Sequence, residues 1–415
     1  MTLSRSASKQ IFSAKLSLSY LYWVTFIMIF LSSLFYYFSG YLGGDLTGIE
    51  YEVDNFKLMF FTAVYLLGLY GSLLFSKMLS DLSFNKYVLV PKSRSLLYLF
   101  FVIFFLITFF SVVAGGAGTI HRGAEVNRYA DLFFALFNPY FFMVLAIYFV
   151  YLDISRSVSL RFLLFFLMVV YIFLVFISGF TGFLIPVLPI LISTLHIFFS
   201  KRKVIFLLVM SVLLFPFIRL VKLMVISGVD GFSMLDIDVE LVKGLMVVVV
   251  ERFSAVPNMI FISESLPDKN VFIQTNYLPF FQGYMGSLFH KALFSEPVSL
   301  ITLSLHQIIQ NTDSDSNSTF PIVSYFSLDF VLGFFAFLYA FFLVFIVSRL
   351  LNAVFGGDNV GKELMSFLLF FVAFYAAFNG WWWNIWGIIQ ALLIFSFIVL
   401  LNGKLCNRSM FDQAS

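Results

Sequence analysis

The chain has few charged residues and a single cysteine. Asp, Glu, Lys and Arg make up 11% of its 415 residues, whereas soluble globular domains contain roughly 25%. Because Cys406 is the only cysteine, an intrachain disulfide and a cysteine-based metal cluster are both excluded. The net charge of +3 is too small to indicate a polyanionic partner such as nucleic acid. These shortages exclude a water-soluble enzyme and a nucleic-acid-binding protein.

Apolar residues, by contrast, are abundant. Hydrophobic residues make up 61% of the chain, 60 residues are Phe, and the mean hydropathy is +1.00. A transmembrane helix needs about 20 apolar residues to cross the hydrocarbon layer. Ten apolar runs of roughly this length, most of them uncharged, predict an all-α polytopic membrane protein with about ten transmembrane helices. The runs cover residues 20–38, 58–76, 96–114, 132–152, 160–178, 183–199, 204–226, 322–348, 364–378 and 385–401.

The basic residues predict which side of the membrane each loop occupies. With the N-terminus placed in the cytoplasm, 16 of the 25 Lys and Arg residues fall in cytoplasmic segments. Short cytoplasmic loops of membrane proteins are rich in Lys and Arg, so we predict that both termini are cytoplasmic. Four tryptophans, Trp381, Trp382, Trp383 and Trp386, then lie at the outer interface, where indoles are enriched.

This topology divides the chain into three regions. Residues 1–226 form an N-terminal membrane bundle of about seven helices, and residues 321–415 form a C-terminal bundle of about three. Between them, residues 227–320 form one large periplasmic loop, in which apolar patches predict two or three short helices. Loops of this length are uncommon unless they are functional, so the large loop is a candidate for the site.

Cations on the predicted outer side are the first candidate site residues. Arg219 and Lys222 lie at the outer end of the seventh span with i, i+3 spacing, so they share one face of a helix. In the large loop, Arg252 directly follows Glu251. Charged side chains in a membrane are costly and often functional, so we predict an anion site. Two alternatives stay open: Arg219 and Lys222 reach lipid headgroups, and Glu251 and Arg252 form a structural ion pair.

Histidines add a second group of candidates. His121, Arg122 and Arg128 lie in the outer loop between the third and fourth spans, where a solvated loop without a special role is the alternative. Of the four histidines, His121, His290 and His306 fall on the outer side. Histidine titrates near neutral pH and suits general-base chemistry. The convergence of arginines and histidines therefore favours catalysis on the outer face.

These side chains match the transfer of a sugar from a lipid-linked donor. Guanidinium groups bind phosphate oxygens bidentately and keep their charge. Because no nucleotide sugar is available outside the membrane, the donor has to be membrane-borne, and arginines would stabilise the charge on a departing lipid pyrophosphate. Two Asp-x-Asp triplets, at 236–238 and 313–315, are too short to indicate a metal site. We therefore predict no metal and no cofactor.

In these features the chain resembles the O-antigen polymerase (Wzy) family of bacterial inner-membrane proteins over most of its length. The resemblance rests on the Phe- and Leu-rich spans and on the large outer loop that precedes the last three spans. It also rests on residues 118–123 (GTIHRG), 251–254 (ERFS) and 317–321 (NSTFP), and on the following Gly333.

The resemblance implies a membrane glycosyltransferase with a type C-like fold. Such an enzyme moves a growing glycan from undecaprenyl pyrophosphate to the non-reducing end of the next lipid-linked repeat unit, on the periplasmic face of the inner membrane. The implied partners are undecaprenyl-pyrophosphate-linked oligosaccharides, membrane lipids, a chain-length regulator and a flippase. The predicted catalytic residues are Arg219, Arg252, Glu251 and His306, and the predicted substrate-binding residues are Arg122, His121, Arg128, Lys222 and His290.

Three other functions stay open at this point. An oligosaccharide-lipid flippase has similar size and Phe content, but it would have more evenly spaced spans and no large outer loop. An O-antigen ligase has the same layout as the polymerase and uses the same donor. A membrane O-acetyltransferase would place His and Arg on early helices that face a cytoplasmic acyl donor.

Overall fold

The computed structural model shows a bundle of apolar helices. Within the residues that the structure describes, seven helices are long and apolar enough to cross a membrane, or eight if one bent pair counts as a single span. The chain is therefore a helical, polytopic membrane protein, as the sequence predicts, whereas the total of ten spans stays a prediction. The described residues are 14–40, 54–82, 87–118, 127–154, 157–178, 181–198, 200, 202–203, 205–206, 210, 254–265, 286, 288, 291–292, 321–356 and 359–407.

Most helices of the N-terminal bundle coincide with predicted runs. The predicted span 132–152 is instead two helices that meet at Asn138 with a bend of 54°. The predicted span 183–199 begins with a 3-10 helix, Thr181–Val187, and the predicted span 204–226 lies outside the described residues apart from three isolated positions. The α-helices are α1 (Ala14–Ser39), α2 (Asn55–Asp81), α3 (Arg94–Val113), α4 (Arg128–Phe137), α5 (Pro139–Leu152), α6 (Val158–Ser178) and α7 (Leu188–Phe198).

A predicted boundary in the C-terminal bundle is wrong. Hydropathy predicts one span over 322–348 with Asp329 inside it. Instead, Asp329 follows one helix and caps the next, since its side chain accepts a hydrogen bond from the Leu332 N–H at 2.9 Å. Aspartate is a preferred N-cap residue, so the spanning helix begins after it. The elements are α8 (Val256–Ser265), α9 (Ile322–Leu328), α10 (Phe330–Phe355), α11 (Asn359–Phe370), a π-helix (Phe371–Phe378) and α12 (Trp382–Leu401).

Two hydrophobic clusters hold the bundle together. The larger cluster joins α3, α5, α6, α10, α11 and α12, and the smaller joins α1, α2 and α8. Phe367, Phe370 and Phe374 belong to the smaller cluster, whereas their neighbours Phe371 and Val372 belong to the larger one. The α11–π segment therefore lies between the two halves and contacts both.

α5 is the central helix of the larger cluster. All its residues from Pro139 to Tyr151 are buried. A helix that is apolar on every side is expected to be surrounded by protein or lipid, and here the surroundings are protein. By contrast, α10 leaves Phe334, Phe337 and Phe341 about half exposed, on the side that would face lipid.

A short antiparallel strand pair, which the all-α prediction omitted, ties two distant segments together. β1 (Tyr87–Pro91) pairs with β2 (Gly403–Asn407), and Pro91 lies opposite Gly403. The pairing continues beyond the strands, because the Lys92 N–H donates to the Asn402 carbonyl at 2.7 Å. The Asn402 side chain also donates to a neighbouring carbonyl, that of Ser93, at 2.6 Å.

The strand pair marks one end of the bundle, which we call the predicted inner end. The Asn352 side chain near the end of α10 donates to the Leu82 carbonyl after α2 at 3.0 Å, and β1 contacts both α10 and α12. The starts of α2 and α12 and the end of the π-helix lie at the other end, the predicted outer end. These pairings of helix ends agree with the predicted order of loops, and which end faces the cytoplasm stays a prediction.

Replacing Gly403 with alanine is expected to lower stability, because a Cβ there would clash with the Val90 carbonyl oxygen and lie 2.8 Å from that of Val399. Backbone has to move to admit it, and such overpacking costs about 1–3 kcal/mol. Thermal unfolding in detergent measures the loss. Gly71→Ala is the matched control: nothing lies within 4 Å of a Cβ at this position in α2, so this helical substitution is expected to be neutral or stabilising. Equal unfolding temperatures for Gly403→Ala and wild type would contradict the packing described.

The sidedness of the bundle is tested by reporter fusions. Fusions at Lys86, Lys203 and Ala353 are expected to report a cytoplasmic location, and fusions at Asp54 and Asp313 a periplasmic one, because basic residues concentrate in the first group of loops. Paired alkaline phosphatase and fluorescent protein fusions measure both signals. A periplasmic signal at Lys203 would contradict the predicted topology.

Candidate functional site

Most of the predicted site residues lie outside the residues that the structure describes. Arg128 is described: it is exposed and forms the first residue of α4. The side chain of the preceding Asn127 caps this helix by accepting from the N–H groups of Tyr129 and Ala130. The predicted residues outside the described residues are His121, Arg122, Arg219, Lys222, Glu251, Arg252, His290 and His306.

The loop that carries His121 and Arg122 is anchored at both ends. The Asn127 N–H donates to the Gly115 carbonyl at 3.0 Å, which brings the end of α3 next to the start of α4. The Tyr140 hydroxyl in α5 donates to the Gly118 carbonyl at 3.2 Å. Gly118 and Asn127, the described residues on either side of this loop, therefore lie at the predicted outer end of the bundle.

α8 follows Glu251 and Arg252 in the chain and is packed into the bundle at the same end. The short helices predicted in the large loop fall on other stretches of it, whereas α8 is buried against α2 and α9. Ser254 and Asn258 are both buried. Lys57 near the start of α2 forms a salt bridge with Glu264. This ion pair joins the end of α8 to the predicted outer end of the bundle.

Buried hydrogen bonds connect the π-helix and α12 to their neighbours. The Tyr65 hydroxyl of α2 donates to the Asn379 side chain at 2.7 Å. The Trp382 indole N–H donates to the Tyr325 hydroxyl of α9 at 3.3 Å. Trp382 is wholly buried, and Trp383 is 39% exposed. Trp382 therefore packs inside the protein, and the position of these indoles at the membrane interface stays a prediction.

Three irregular helical segments and the start of α12 meet towards the predicted outer end, and we call their meeting point the break junction (138–141, 181–187, 371–378 and 381–387). At Asn138 the backbone is left-handed, with φ at 45°, and α4 gives way to α5. The 3-10 helix Thr181–Val187 and the π-helix are the other two. Non-helical backbone within a membrane is tolerated only where protein or a water-filled cavity surrounds it, and π-helical turns are frequent at functional sites.

Side chains satisfy the backbone groups that these breaks leave free. The Gln390 amide of α12 donates at 2.6 Å to the carbonyls of Ala135 and Leu136 at the end of α4. The hydroxyls of Tyr148 and Tyr171 each donate at 2.6 Å to a carbonyl of the 3-10 segment. The breaks are thus held in place by specific bonds rather than by apolar packing alone.

Phe141 links the three segments. Its ring lies 5.0 Å from Phe183 of the 3-10 helix and 6.5 Å from Phe371 at the start of the π-helix. Phe141, Pro186, Phe371 and Ile388 line a small apolar cavity on the inner side of the junction.

A second charged cluster, which sequence reasoning missed, lies at the predicted inner end. Asp153 follows α5, is 1% exposed and accepts hydrogen bonds from Arg94 and Tyr98 of α3. Its signal in the sequence was a lone carboxylate directly after an apolar run. The cluster joins α3 to α5. Because it lies far from the predicted outer end, we interpret it as a structural contact.

Comparison of the chain with protein-family models, with curated proteins and with solved structures found no match.

Proposed function

We propose that the chain is a repeat-unit polymerase for a surface polysaccharide, embedded in the bacterial inner membrane with its active face in the periplasm. The observation that carries the proposal is the convergence at one end of the bundle. The described chain reaches this end next to two of the basic segments: at Gly118 and Asn127, and through α8, whose Glu264 pairs with Lys57. Arg122 lies between the first two, and Arg252 precedes Ser254 by two residues.

Chain connectivity supports a shared site. Arg252 lies two residues before the buried Ser254 in the sequence, and two residues of chain span at most about 7 Å. Gly118 and Asn127, which flank His121 and Arg122 in the sequence, lie at the same end of the bundle. Arginines from separate segments would then surround one ligand, as a multiply charged pyrophosphate requires.

The proposed reaction is the transfer of a glycan between two lipid-linked molecules. A hydroxyl of the acceptor sugar attacks the anomeric carbon of the donor glycan, and the bond from that carbon to the pyrophosphate oxygen breaks. The lipid pyrophosphate leaves with the bonding electrons, and His306 or Glu251 takes the hydroxyl proton. Arg122, Arg219 and Arg252 stabilise the negative charge that grows on the leaving group. The electrons and the proton balance without a metal ion or a cofactor.

A gene deletion tests the proposed function directly. Loss of a polymerase is expected to leave lipopolysaccharide capped with a single repeat unit, because the repeat is still flipped and ligated. Loss of a flippase or a ligase would leave bare core instead. Gel electrophoresis of lipopolysaccharide, with the deletion complemented by the wild-type gene, measures the difference. A full ladder or bare core in the deletion strain would contradict the proposal.

A further inference from the structure

α4 has three sides of different composition, and the described protein covers only one of them. The helix, Arg128–Phe137, is ten residues long and is bent by 54° from α5. Successive residues of an α-helix are about 100° apart around its axis. The side chains of α4 therefore divide into a sector that packs on the protein, a charged sector, and an apolar stripe between the two.

The packed sector faces the larger hydrophobic cluster. Its members are Ala130, Phe133, Phe134 and Phe137. The Phe133 ring lies 5.4 Å from Phe104 of α3, and the Phe134 ring lies 5.7 Å from Tyr140 of α5. Contacts with two helices of the bundle therefore cover this side of α4.

The charged sector lies on the far side of the helix. Arg128 and Asp131 are both exposed and lie three residues apart, so they share one face. A charged side chain is costly to place in hydrocarbon. This face of α4 is therefore expected to contact water or lipid headgroups.

The apolar stripe is uncovered within the described part of the chain. Tyr129, Leu132 and Leu136 are spaced by three and four residues, so they lie along one side of the helix. Their exposed fractions are 83%, 53% and 39%. Together with the packed sector, the stripe forms an apolar arc of roughly 200°, of which the protein covers about half. A helix with this pattern needs an apolar partner for the remaining half.

We propose that the apolar stripe of α4 lies in the membrane interface at the predicted outer end, and that its partner is the lipid leaflet around the protein. Interfacial helices bury their apolar face about 5–10 Å into the boundary between headgroups and acyl chains, and they keep a charged face in water. Tyrosine is enriched at this depth, which fits Tyr129. The inference rests on α4 and its neighbours and goes beyond the proposed function.

Lipid is the partner that the neighbouring helix already requires. α3 is a candidate membrane span, and its last two turns expose Ile107, Phe110 and Val113. The Asn127 N–H donates to the Gly115 carbonyl at 3.0 Å, so α4 starts beside the end of α3. The stripe therefore begins at the level where the exposed apolar side of α3 ends, and this level is the membrane interface.

Hydrogen bonds at the two ends of α4 fit this placement. At the start, the Asn127 side chain accepts from two backbone N–H groups of the first turn. At the end, the carbonyls of Ala135 and Leu136 accept from the Gln390 side chain of α12 at 2.6 Å. Backbone groups in hydrocarbon need partners within the protein, because water is absent there. The end of α4 meets this requirement, and its charged start suits the membrane surface.

Spin-label accessibility tests the inference. Single-cysteine variants are made in a Cys406→Ser background, because Cys406 is the only native cysteine. Each variant is labelled with a nitroxide and placed in lipid nanodiscs. Electron paramagnetic resonance then compares collisions with oxygen, which concentrates in lipid, and with a water-soluble nickel chelate. Phe341→Cys on the exposed side of α10 is the lipid reference, and Asp81→Cys at the end of α2 is the water reference.

The labels are expected to distinguish the two exposed sides of α4. The stripe variants are Tyr129→Cys, Leu132→Cys and Leu136→Cys, and the charged-face variants, which are the matched controls, are Arg128→Cys and Asp131→Cys. Stripe variants should give oxygen-to-nickel ratios several-fold above the water reference, because their labels enter the interface. Charged-face variants should match the water reference. All five positions are exposed, so the unfolding temperatures should stay unchanged. If one leucine variant misfolds, the other leucine on the stripe decides the test.

Three results would overturn the inference. Water-like ratios on both sides would make α4 a solvated helix, and lipid-like ratios on both sides would make it part of a membrane span. Stripe labels that neither reagent reaches would show that protein covers the stripe, as in contact with a second copy of the chain. None of these results depends on the proposed polymerase function, because the measurement needs no substrate.

Discussion

Replacing Arg252 with alanine is expected to reduce the polysaccharide ladder to a single repeat while the protein still inserts in the membrane. An arginine that contacts the leaving pyrophosphate helps the transition state more than the ground state, and losing one such donor typically costs about a hundredfold in rate. The same result is expected for Arg122→Ala and Arg219→Ala. Ladder length on gels and protein level on blots are the measurements.

Lysine variants and a distant arginine provide the controls. Replacing each arginine with lysine keeps the charge but loses the bidentate geometry, so shorter chains or lower yield are expected rather than a single repeat. Arg202 is exposed and belongs to the predicted cytoplasmic side, so Arg202→Ala should leave the ladder unchanged. Full ladders from both Arg219→Ala and Arg252→Ala at normal expression would remove the anion site, because headgroup-facing arginines tolerate this loss.

Arg94→Met is expected to destabilise the bundle by about 3 kcal/mol. It leaves the carboxylate of Asp153, whose side chain is 2% exposed, without its cation. Breaking a buried pair in this way costs about 3–5 kcal/mol, and the partial exposure of Arg94, 31%, places the effect at the lower end. Thermal unfolding of purified protein in detergent measures the change.

The reverse variant separates the two partners. Asp153→Asn leaves Arg94, which reaches solvent, so it is expected to cost less than Arg94→Met. The double variant should recover some of the loss, because no charge then stays buried and unpaired. Arg161→Met, at the same predicted end and in no described ion pair, controls for the loss of a surface arginine. Equal unfolding temperatures for Arg94→Met and Arg161→Met would show that the pair adds no stability.

Membrane helices were the most predictable feature of this chain, because hydropathy reports directly on transfer to lipid. Their packing was less predictable for the same reason. Lipid and the protein interior are equally apolar surroundings for a Phe or Leu side chain. The fully buried α5 and the half-exposed α10 are therefore both apolar along their whole length. Only the contacts of each helix distinguish them.

Helix capping identifies a helix start that hydropathy alone misplaces. Asp329 lies within an apolar stretch, and counting it within a span placed the start of α10 about eight residues too early. Its N-cap role follows from the general preference for aspartate at this position. The bend at Asn138 was likewise marked by an Asn-Pro pair, which favours a turn.

The polar end of the bundle was predictable only in outline. The sequence predicts several arginines and three histidines on the outer side, but Tyr65–Asn379 and Tyr325–Trp382 are pairs whose members are far apart along the chain. A buried asparagine in a membrane protein needs a partner, and spacing within one segment does not reveal it. The break junction combines four separate segments of the chain. Its residues could therefore not be identified from any single motif.

During biosynthesis, β1 is translated long before β2, the strand with which it pairs. Tyr87 lies opposite Asn407, a partner 320 residues later in translation. Ribosomes add about 5–20 residues per second, so β2 is synthesised roughly 16–64 s after β1. During that interval α2 and α3 are already inserted, while the strand between them has free edges that invite pairing with other chains. Chaperones that bind nascent chains are therefore expected to act on the loop that contains β1.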